Sequence, residues 1–261
     1  MGELVFIGLG LHDANDITLK GLDEARRCDV LFTESYTSQL KDGSIEELEK
    51  KTGKEMIVLG REQVEDGEII LHEAREKIVG FLVPGDAMSA TTHIDLRIRA
   101  EKEGIATKVV HGVSIVTAAT GLLGLQSYKF GRTTTLPFRQ KGYFPSSPYE
   151  VIKQNKEMGL HTLVLLDLKE SGEMMNVSEA LDYLLELEQR EKGEVLADKD
   201  LVCALGDVGS DSPEVVCDYV KSLARREMRS RIFCLVIPSK LHFMERESLQ
   251  ILANAPGEPL E

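Results

Sequence analysis

The feature that most constrains the fold of this chain is a regular alternation of short apolar runs with amphipathic, helix-like segments. The first run, Glu3–Ile7, is closed by Gly8-Leu9-Gly10, which indicates a buried strand that enters a tight loop. Later runs end in a similar way, at Pro84-Gly85-Asp86, at Gly112 and at Gly206-Asp207. Strands that alternate with helices over short loops predict an α/β architecture with largely parallel sheets.

The length and a local change in composition predict two domains. A chain of 261 residues can form one large or two modest α/β domains, and residues 124–148 are rich in Gly, Ser, Thr and Pro. We place the boundary so that an N-terminal α/β domain covers residues 1–112 and a C-terminal α/β domain covers residues 113–261. Within the second domain, the segment from Pro213 to Arg226 is predicted to be a helix.

The charge balance argues against two classes of partner. The formal net charge is -13, there is no Trp, and aromatic residues make up 5% of the chain. Because nucleic acids and anionic membranes attract basic surfaces, we expect neither as a partner. The chain runs from Met1 directly into a strand pattern without a signal peptide, and its apolar runs are too short to cross a bilayer. These observations predict a soluble, cytoplasmic protein.

Several common catalytic and metal-binding motifs are missing from the sequence. None of the four cysteines forms a C-x-x-C pair, and the histidines do not form H-E-x-x-H, so we expect no metal. The G-x-S-x-G elbow and the Walker A loop are also absent, which disfavours an α/β hydrolase and a P-loop nucleotide site. Asp167 and Asp207 stand at two strand ends, where they could act as paired carboxylates or, more simply, accept hydrogen bonds from loop N–H groups.

The most informative segment is the loop from Pro84 to His93, at the carboxyl end of a predicted strand. Open α/β sheets bind their ligands at this end, and Asp86, Ser89 and the neighbouring threonines offer polar groups without bulk. Such a loop suits a small ligand with amine and hydroxyl groups, although it could also simply cap the following helix. Gly8-Leu9-Gly10 is a weaker signal, since Asp13 occupies the third glycine position of the dinucleotide fingerprint.

Five segments taken together resemble the tetrapyrrole (corrin/porphyrin) methylases. They are Phe6–Leu11, Pro84–His93, Gly112–Ala119, Leu163–Lys169 and Gly206–Ser210. Within that superfamily, the P-G-D-x-M-x-A-T-T-H form of the second segment is similar to that of the diphthine synthases, as are H-G-V-S-I, Y-F-P-x-S-P-Y and H-T-L-V-L-L-D. The resemblance covers nearly the whole chain.

This resemblance implies two αβα domains with a cofactor cleft between them, and a homodimer. It implies that S-adenosyl-L-methionine donates methyl groups to the amine of a modified histidine (3-amino-3-carboxypropyl-histidine) on translation elongation factor 2, a step of diphthamide biosynthesis that gives diphthine. It identifies no catalytic side chain. The residues that it implies for the methyl donor are Leu9, Asp86, Ser89, Ser114, Ile115, Leu165, Val208 and Phe233.

Two other functions fit the same sequence features. A methyltransferase acting on corrin or porphyrin intermediates would share the donor site but need a broad trough for a flat macrocycle. A non-catalytic metabolite-binding module would also use glycine-rich strand ends, and only a turnover measurement separates it from an enzyme.

Overall fold

The computed structural model describes residues 2–34, 36, 38–169 and 171–257. The chain divides into two compact units, one of Met1–Ile115 with Lys169–Gly172, and the other of Val116–Leu168 with Glu173–Glu261. The boundary that we place after residue 112 stays a prediction, as does the cofactor cleft. Across the described residues, no helix is both long enough and apolar enough to span a membrane.

The first unit contains a parallel five-stranded sheet. Its strands lie in the order β3-β2-β4-β1-β5, and each neighbouring pair is parallel. The elements, in chain order, are β1 (Glu3–Gly8), α1 (Leu19–Arg27), β2 (Val30–Glu34), α2 (Ser44–Thr52), β3 (Met56–Leu59), α3 (Arg61–Asp66), α4 (Glu68–Ala74), β4 (Ile78–Val83), α5 (Ile94–Lys102) and β5 (Ala106–Val110).

Both faces of this sheet are covered, because successive residues of the central strand β1 enter different cores. Leu4 and Phe6 pack into one apolar cluster with Phe81. Val5 and Ile7 pack into another with residues of α1 and α2. Side chains alternate between the two faces of a strand, so the continuous apolar run of β1 reflects burial on both sides.

The second unit contains a mixed five-stranded sheet. Its order is β6-β7-β10-β8-β9; only β6 and β7 are parallel, and the other three pairs are antiparallel. The elements are α6 (Ile115–Leu123), β6 (Thr134–Leu136), α7 (Ser147–Glu157), β7 (Thr162–Leu166), α8 (Val177–Glu191), β8 (Leu201–Gly206), β9 (Glu214–Tyr219), α9 (Val220–Leu223), β10 (Phe233–Ile237) and α10 (Phe243–Ala253). The predicted α/β class is confirmed, whereas the expectation of parallel sheets holds only for the first unit.

The predicted helix from Pro213 to Arg226 is wrong in its first half. Residues Glu214–Tyr219 form β9, which pairs with β8 as a hairpin, and only Val220–Leu223 are helical. The segment contains Val215, Val216 and Tyr219, and β-branched and aromatic residues suit a strand when a partner is available. The partner is β8, so pairing outside the local sequence decides the conformation.

A buried ionic cluster holds the start of α10. Glu245 is fully buried, and its carboxylate accepts hydrogen bonds from His161 Nε2 (3.0 Å), the backbone N–H of Gln126 (3.0 Å), the N–H of His242 (2.9 Å) and the Lys129 ammonium group. Burial alone would raise the pKa of Glu245, but these donors outweigh it and lower the pKa to about 2. The carboxylate therefore stays ionised inside the unit.

Candidate functional site

Three strand ends of the first unit meet through their backbones. A Cβ atom added to Gly8 at the end of β1 would lie 2.4 Å from Gly112 N and 2.7 Å from the Gly85 carbonyl oxygen. A Cβ added to Gly112, after β5, would lie 2.4 Å from the same oxygen. No side chain fits at such distances, so these glycines let the loops after β1, β4 and β5 approach closely.

The loops after β1 and β4 are also joined by hydrogen bonds. Leu9 N–H donates to the Val83 carbonyl at 2.8 Å, and Gly10 and Gly85 exchange backbone bonds of 3.1 and 2.5 Å. Gly10 and Gly85 have φ values of 82° and 75°, a conformation that favours glycine. Leu9 is thereby fixed beside the Pro84–His93 loop.

Asp86 organises that loop. Its Oδ1 accepts the N–H of Met88 at 2.9 Å and lies 3.3 Å from the Ser89 hydroxyl, while its Oδ2 is 2.7 Å from His111 Nδ1. Burial opposes ionisation of Asp86, but the bonds from Met88, His111 and Ser89 outweigh it and lower the pKa of this carboxyl group. Asp86 is therefore an anchored, negatively charged group that connects the loop after β4 to the loop after β5.

The remaining predicted residues of the first unit also lie beyond the carboxyl end of a strand, here β5. Ser114 is almost buried and lies two residues after Gly112, and Ile115 is the first residue of α6. The structure therefore places the five predicted first-unit residues after the carboxyl ends of the neighbouring strands β1, β4 and β5, four of them in loops and Ile115 at the start of α6. They are Leu9, Asp86, Ser89, Ser114 and Ile115.

The three predicted residues of the second unit lie on neighbouring strands of its sheet and on one loop. Leu165 of β7 is opposite Cys234 of β10, and Phe233 of β10 is opposite Gly206, the last residue of β8. Val208 is two residues beyond Gly206 and is largely buried. These residues form a second group within their own unit.

A cavity of about 350 Å³ opens beside Leu9 in the first unit. Its lining residues include Glu34, Lys41, Asp42 and Glu46. Glu34 is buried at the end of β2, where its Oε2 accepts the N–H of Tyr36 at 2.8 Å. Glu34 belongs to no recognised sequence motif, and the loop after β2 carries no glycine pattern that would indicate a site.

His93 and Asp167 support loops. His93 is buried with its edge against Phe81 (ring centroids 4.9 Å apart), and its Nδ1 is 3.3 Å from the Ala87 carbonyl. Burial lowers the pKa of His93, which keeps the ring neutral. Asp167 accepts the N–H groups of Phe138 and Leu168, each at 3.0 Å, which is the simpler of the two roles considered for it. No cluster of metal-ligating side chains occurs among the described residues.

Comparison with known proteins decides the family. The model of the family "Tetrapyrrole (Corrin/Porphyrin) Methylases" matches residues 3–201. The diphthine synthase of Methanosarcina acetivorans is 43% identical over 263 residues, covering 99% of this chain and 98% of that protein. The chain belongs to the diphthine synthase family of the tetrapyrrole methylases.

Two further relatives agree with this assignment. The diphthine synthase of Methanothermobacter thermautotrophicus is 40% identical over 259 residues, with 99% of this chain and 98% of that protein covered. A crystal structure of diphthine synthase superposes with a TM-score of 0.88 at 36% identity, covering 97% of this chain and 96% of that one. Membership of the diphthine synthase family makes this chain a methyltransferase that uses a methyl-donor cofactor.

Proposed function

We propose that this methyltransferase transfers methyl groups from S-adenosyl-L-methionine to the amine of the 3-amino-3-carboxypropyl-histidine of translation elongation factor 2, which gives diphthine. The observation that carries the proposal is the 43% identity to a diphthine synthase over nearly the full length of both chains. Two relatives with this name match this chain over 98% or more of both lengths. A diphthine synthase is therefore favoured over a methyltransferase that acts on corrin or porphyrin intermediates.

The first unit offers a fitting part of a donor site. Gly8 and Gly112 let the loops after β1, β4 and β5 pack together, because a Cβ atom at either glycine would clash with the neighbouring backbone. Asp86 adds an ionised carboxylate, and Ser89 and Ser114 add hydroxyl groups. These groups suit the amine and hydroxyl groups of S-adenosyl-L-methionine. We assign Leu9, Asp86, Ser89, Ser114 and Ile115 to donor binding on this basis.

The second unit contributes Leu165, Val208 and Phe233 to the proposed donor contacts. Leu165 is half-buried, while Val208 and Phe233 are largely buried and surround the carboxyl end of β8. Asp207 and Gly209 beside Val208 have φ values of 46° and 103°, so the backbone of this loop departs from that of a regular strand. We expect the main chain of this loop, and not its side chains, to contact the methyl donor.

The proposed reaction does not require an acidic or basic side chain as a catalyst. The donor supplies a methyl group on a positively charged sulfur, which is already activated for displacement. The task of the chain is to hold the acceptor amine at about 3–3.5 Å from the reacting carbon and in line with the breaking bond. Partial removal of water around the amine lowers its pKa and favours its unprotonated, nucleophilic form. We therefore propose catalysis by positioning, without a dedicated general base.

Calorimetric titration with S-adenosylhomocysteine tests the donor site directly. We expect micromolar binding with one site per subunit, and half that stoichiometry would indicate coupled sites in the homodimer that we also propose. The second step is mass spectrometry of elongation factor 2 carrying the unmethylated modified histidine, which counts the methyl groups and distinguishes an amine from an ester. If the folded protein does not bind S-adenosylhomocysteine at high micromolar concentration, the proposal is contradicted.

A further inference from the structure

Two cysteines face each other across the β8–β9 hairpin of the second unit. Cys203 on β8 and Cys217 on β9 are register partners, and their Sγ atoms are 2.7 Å apart. Both side chains are fully buried, and both thiols are free. Two thiols in direct contact on paired strands are a cluster that methyl transfer does not use.

The register of the two strands predicts the backbone spacing that a disulfide requires. Residues directly opposite each other on antiparallel strands have Cα atoms about 4.5–5.5 Å apart. A disulfide bridges Cα atoms that are about 4.4–6.8 Å apart. A bond between Cys203 and Cys217 can therefore form by a small rotation of the side chains, without shifting either strand.

We propose that Cys203 and Cys217 form an oxidisable pair, and that a low-molecular-weight disulfide converts them to a cystine that locks the β8–β9 hairpin. The other two cysteines are placed differently. Cys234 on β10 is opposite Leu165 and Leu205, and Cys28 in the first unit contacts the Glu24 carbonyl. The inference does not depend on the proposed methyl transfer.

The exchange reaction balances with a disulfide such as oxidised glutathione. One cysteine loses its proton and attacks a sulfur of the oxidant, which forms a mixed disulfide and releases one small thiol. The second cysteine, as a thiolate, then attacks the protein sulfur of that mixed disulfide, forms the Cys203–Cys217 bond and releases the second small thiol. Two electrons and two protons pass from the cysteines to the oxidant, which is reduced to two thiols.

Burial makes the reaction dependent on opening of the hairpin. It raises the pKa of Cys203 well above the usual range, so the reactive thiolate is scarce while the strands stay paired. Among the described residues, β9 is the edge strand of its sheet and pairs only with β8. Transient separation of this edge, or folding in the presence of the oxidant, exposes both thiols. Once formed, the bond closes a loop that contains Val208, one of the proposed donor contacts.

The test is to incubate the full-length protein with excess oxidised glutathione at mildly alkaline pH and moderate temperature. The protein is then unfolded in the presence of an alkylating reagent, and the intact mass and the peptide masses are measured. We expect four alkylated cysteines before oxidation and two after it, with residues 203 and 217 in one disulfide-linked peptide pair. We also expect the Tm to rise by about 5 °C on oxidation and to return when the bond is reduced.

Two variants make the assignment specific. Cys217→Ala leaves Cys203 without a partner, so we expect no intramolecular disulfide and no rise in Tm under the same oxidation. Cys234→Ala is the matched control, because it removes a buried cysteine on the adjacent strand; both the disulfide and the rise in Tm should remain. Labelling of all four cysteines after oxidation, or a disulfide that involves Cys234 or Cys28, would overturn the inference.

Discussion

The buried Glu245 cluster gives a quantitative prediction for the substitution Glu245→Gln. Four donors converge on this carboxylate, from Gln126 N, His242 N, His161 Nε2 and the Lys129 ammonium group. His161 Nδ1 accepts the N–H of Ser239 at 2.9 Å, so the proton of the neutral ring is on Nε2 and points to Glu245. An amide has one acceptor oxygen, and its NH₂ group would face donors.

The magnitude follows from the ionisation of the carboxyl group. The folded-state pKa of about 2, compared with the ordinary value of 4.5, corresponds to about 3 kcal/mol of stability at neutral pH. The Gln variant loses this contribution and leaves buried donors without partners, at a cost of about 1–3 kcal/mol for each group. Relaxation around the partly exposed Lys129 offsets part of the loss. We expect the free energy of unfolding to fall by about 3–5 kcal/mol.

Urea unfolding of wild type and variant at neutral pH measures this difference. Glu247→Gln is the matched control, since it makes the same charge change on the exposed face of the same helix. It should change the free energy of unfolding by no more than about 0.5 kcal/mol. A loss below about 1 kcal/mol for Glu245→Gln, or one equal to that of the control, would refute the reasoning.

The pH dependence provides a second check on the same variant. A carboxyl group with a lowered folded-state pKa stabilises the fold above its unfolded-state pKa, and this stability disappears as the pH falls through the folded-state pKa. The difference between wild type and Glu245→Gln should therefore shrink by about 2 kcal/mol between pH 7 and pH 3. A difference that stays constant over this range would mean that packing, and not charge, dominates.

Three further substitutions probe the proposed donor site and its surroundings. Gly112→Ala places a methyl group 2.4 Å from the Gly85 carbonyl oxygen, so urea unfolding should show a loss of about 2 kcal/mol or more, together with weaker binding of S-adenosylhomocysteine. Gly121→Ala in α6 meets open space and should instead stabilise the protein by about 0.5–1 kcal/mol; a comparable loss at both positions would argue against the steric explanation. Asp86→Asn removes the negative charge that His111 and the loop N–H groups stabilise. Calorimetry should therefore show an affinity for S-adenosylhomocysteine that is reduced about 10-fold or more, while circular dichroism shows that the fold is retained. Unchanged affinity would remove Asp86 from the donor site.

Local sequence patterns determined the α/β class and the positions of the loops that carry the proposed site. A glycine at the end of a buried strand indicates a turn or a close backbone contact, whatever the fold of the rest of the chain. Gly8, Gly85 and Gly112 therefore indicate from the sequence alone where the loops lie. The polar loop around Asp86 is likewise predicted from the sequence, because Pro84-Gly85 ends the strand before it. Combined with the remaining motifs, these segments carry the resemblance to the tetrapyrrole methylases.

The contacts between residues far apart in the chain depend on the folded arrangement and cannot be derived from local sequence. Residues Glu214–Tyr219 are a strand because β8 supplies a partner, and the same pairing brings Cys203 and Cys217 into contact. Glu245 is separated from His161 by 84 positions along the chain, and nothing in either local sequence indicates that they share a buried hydrogen bond. Periodicity and turn residues report the preferences of a short segment, whereas burial and pairing depend on which segments the whole chain folds together.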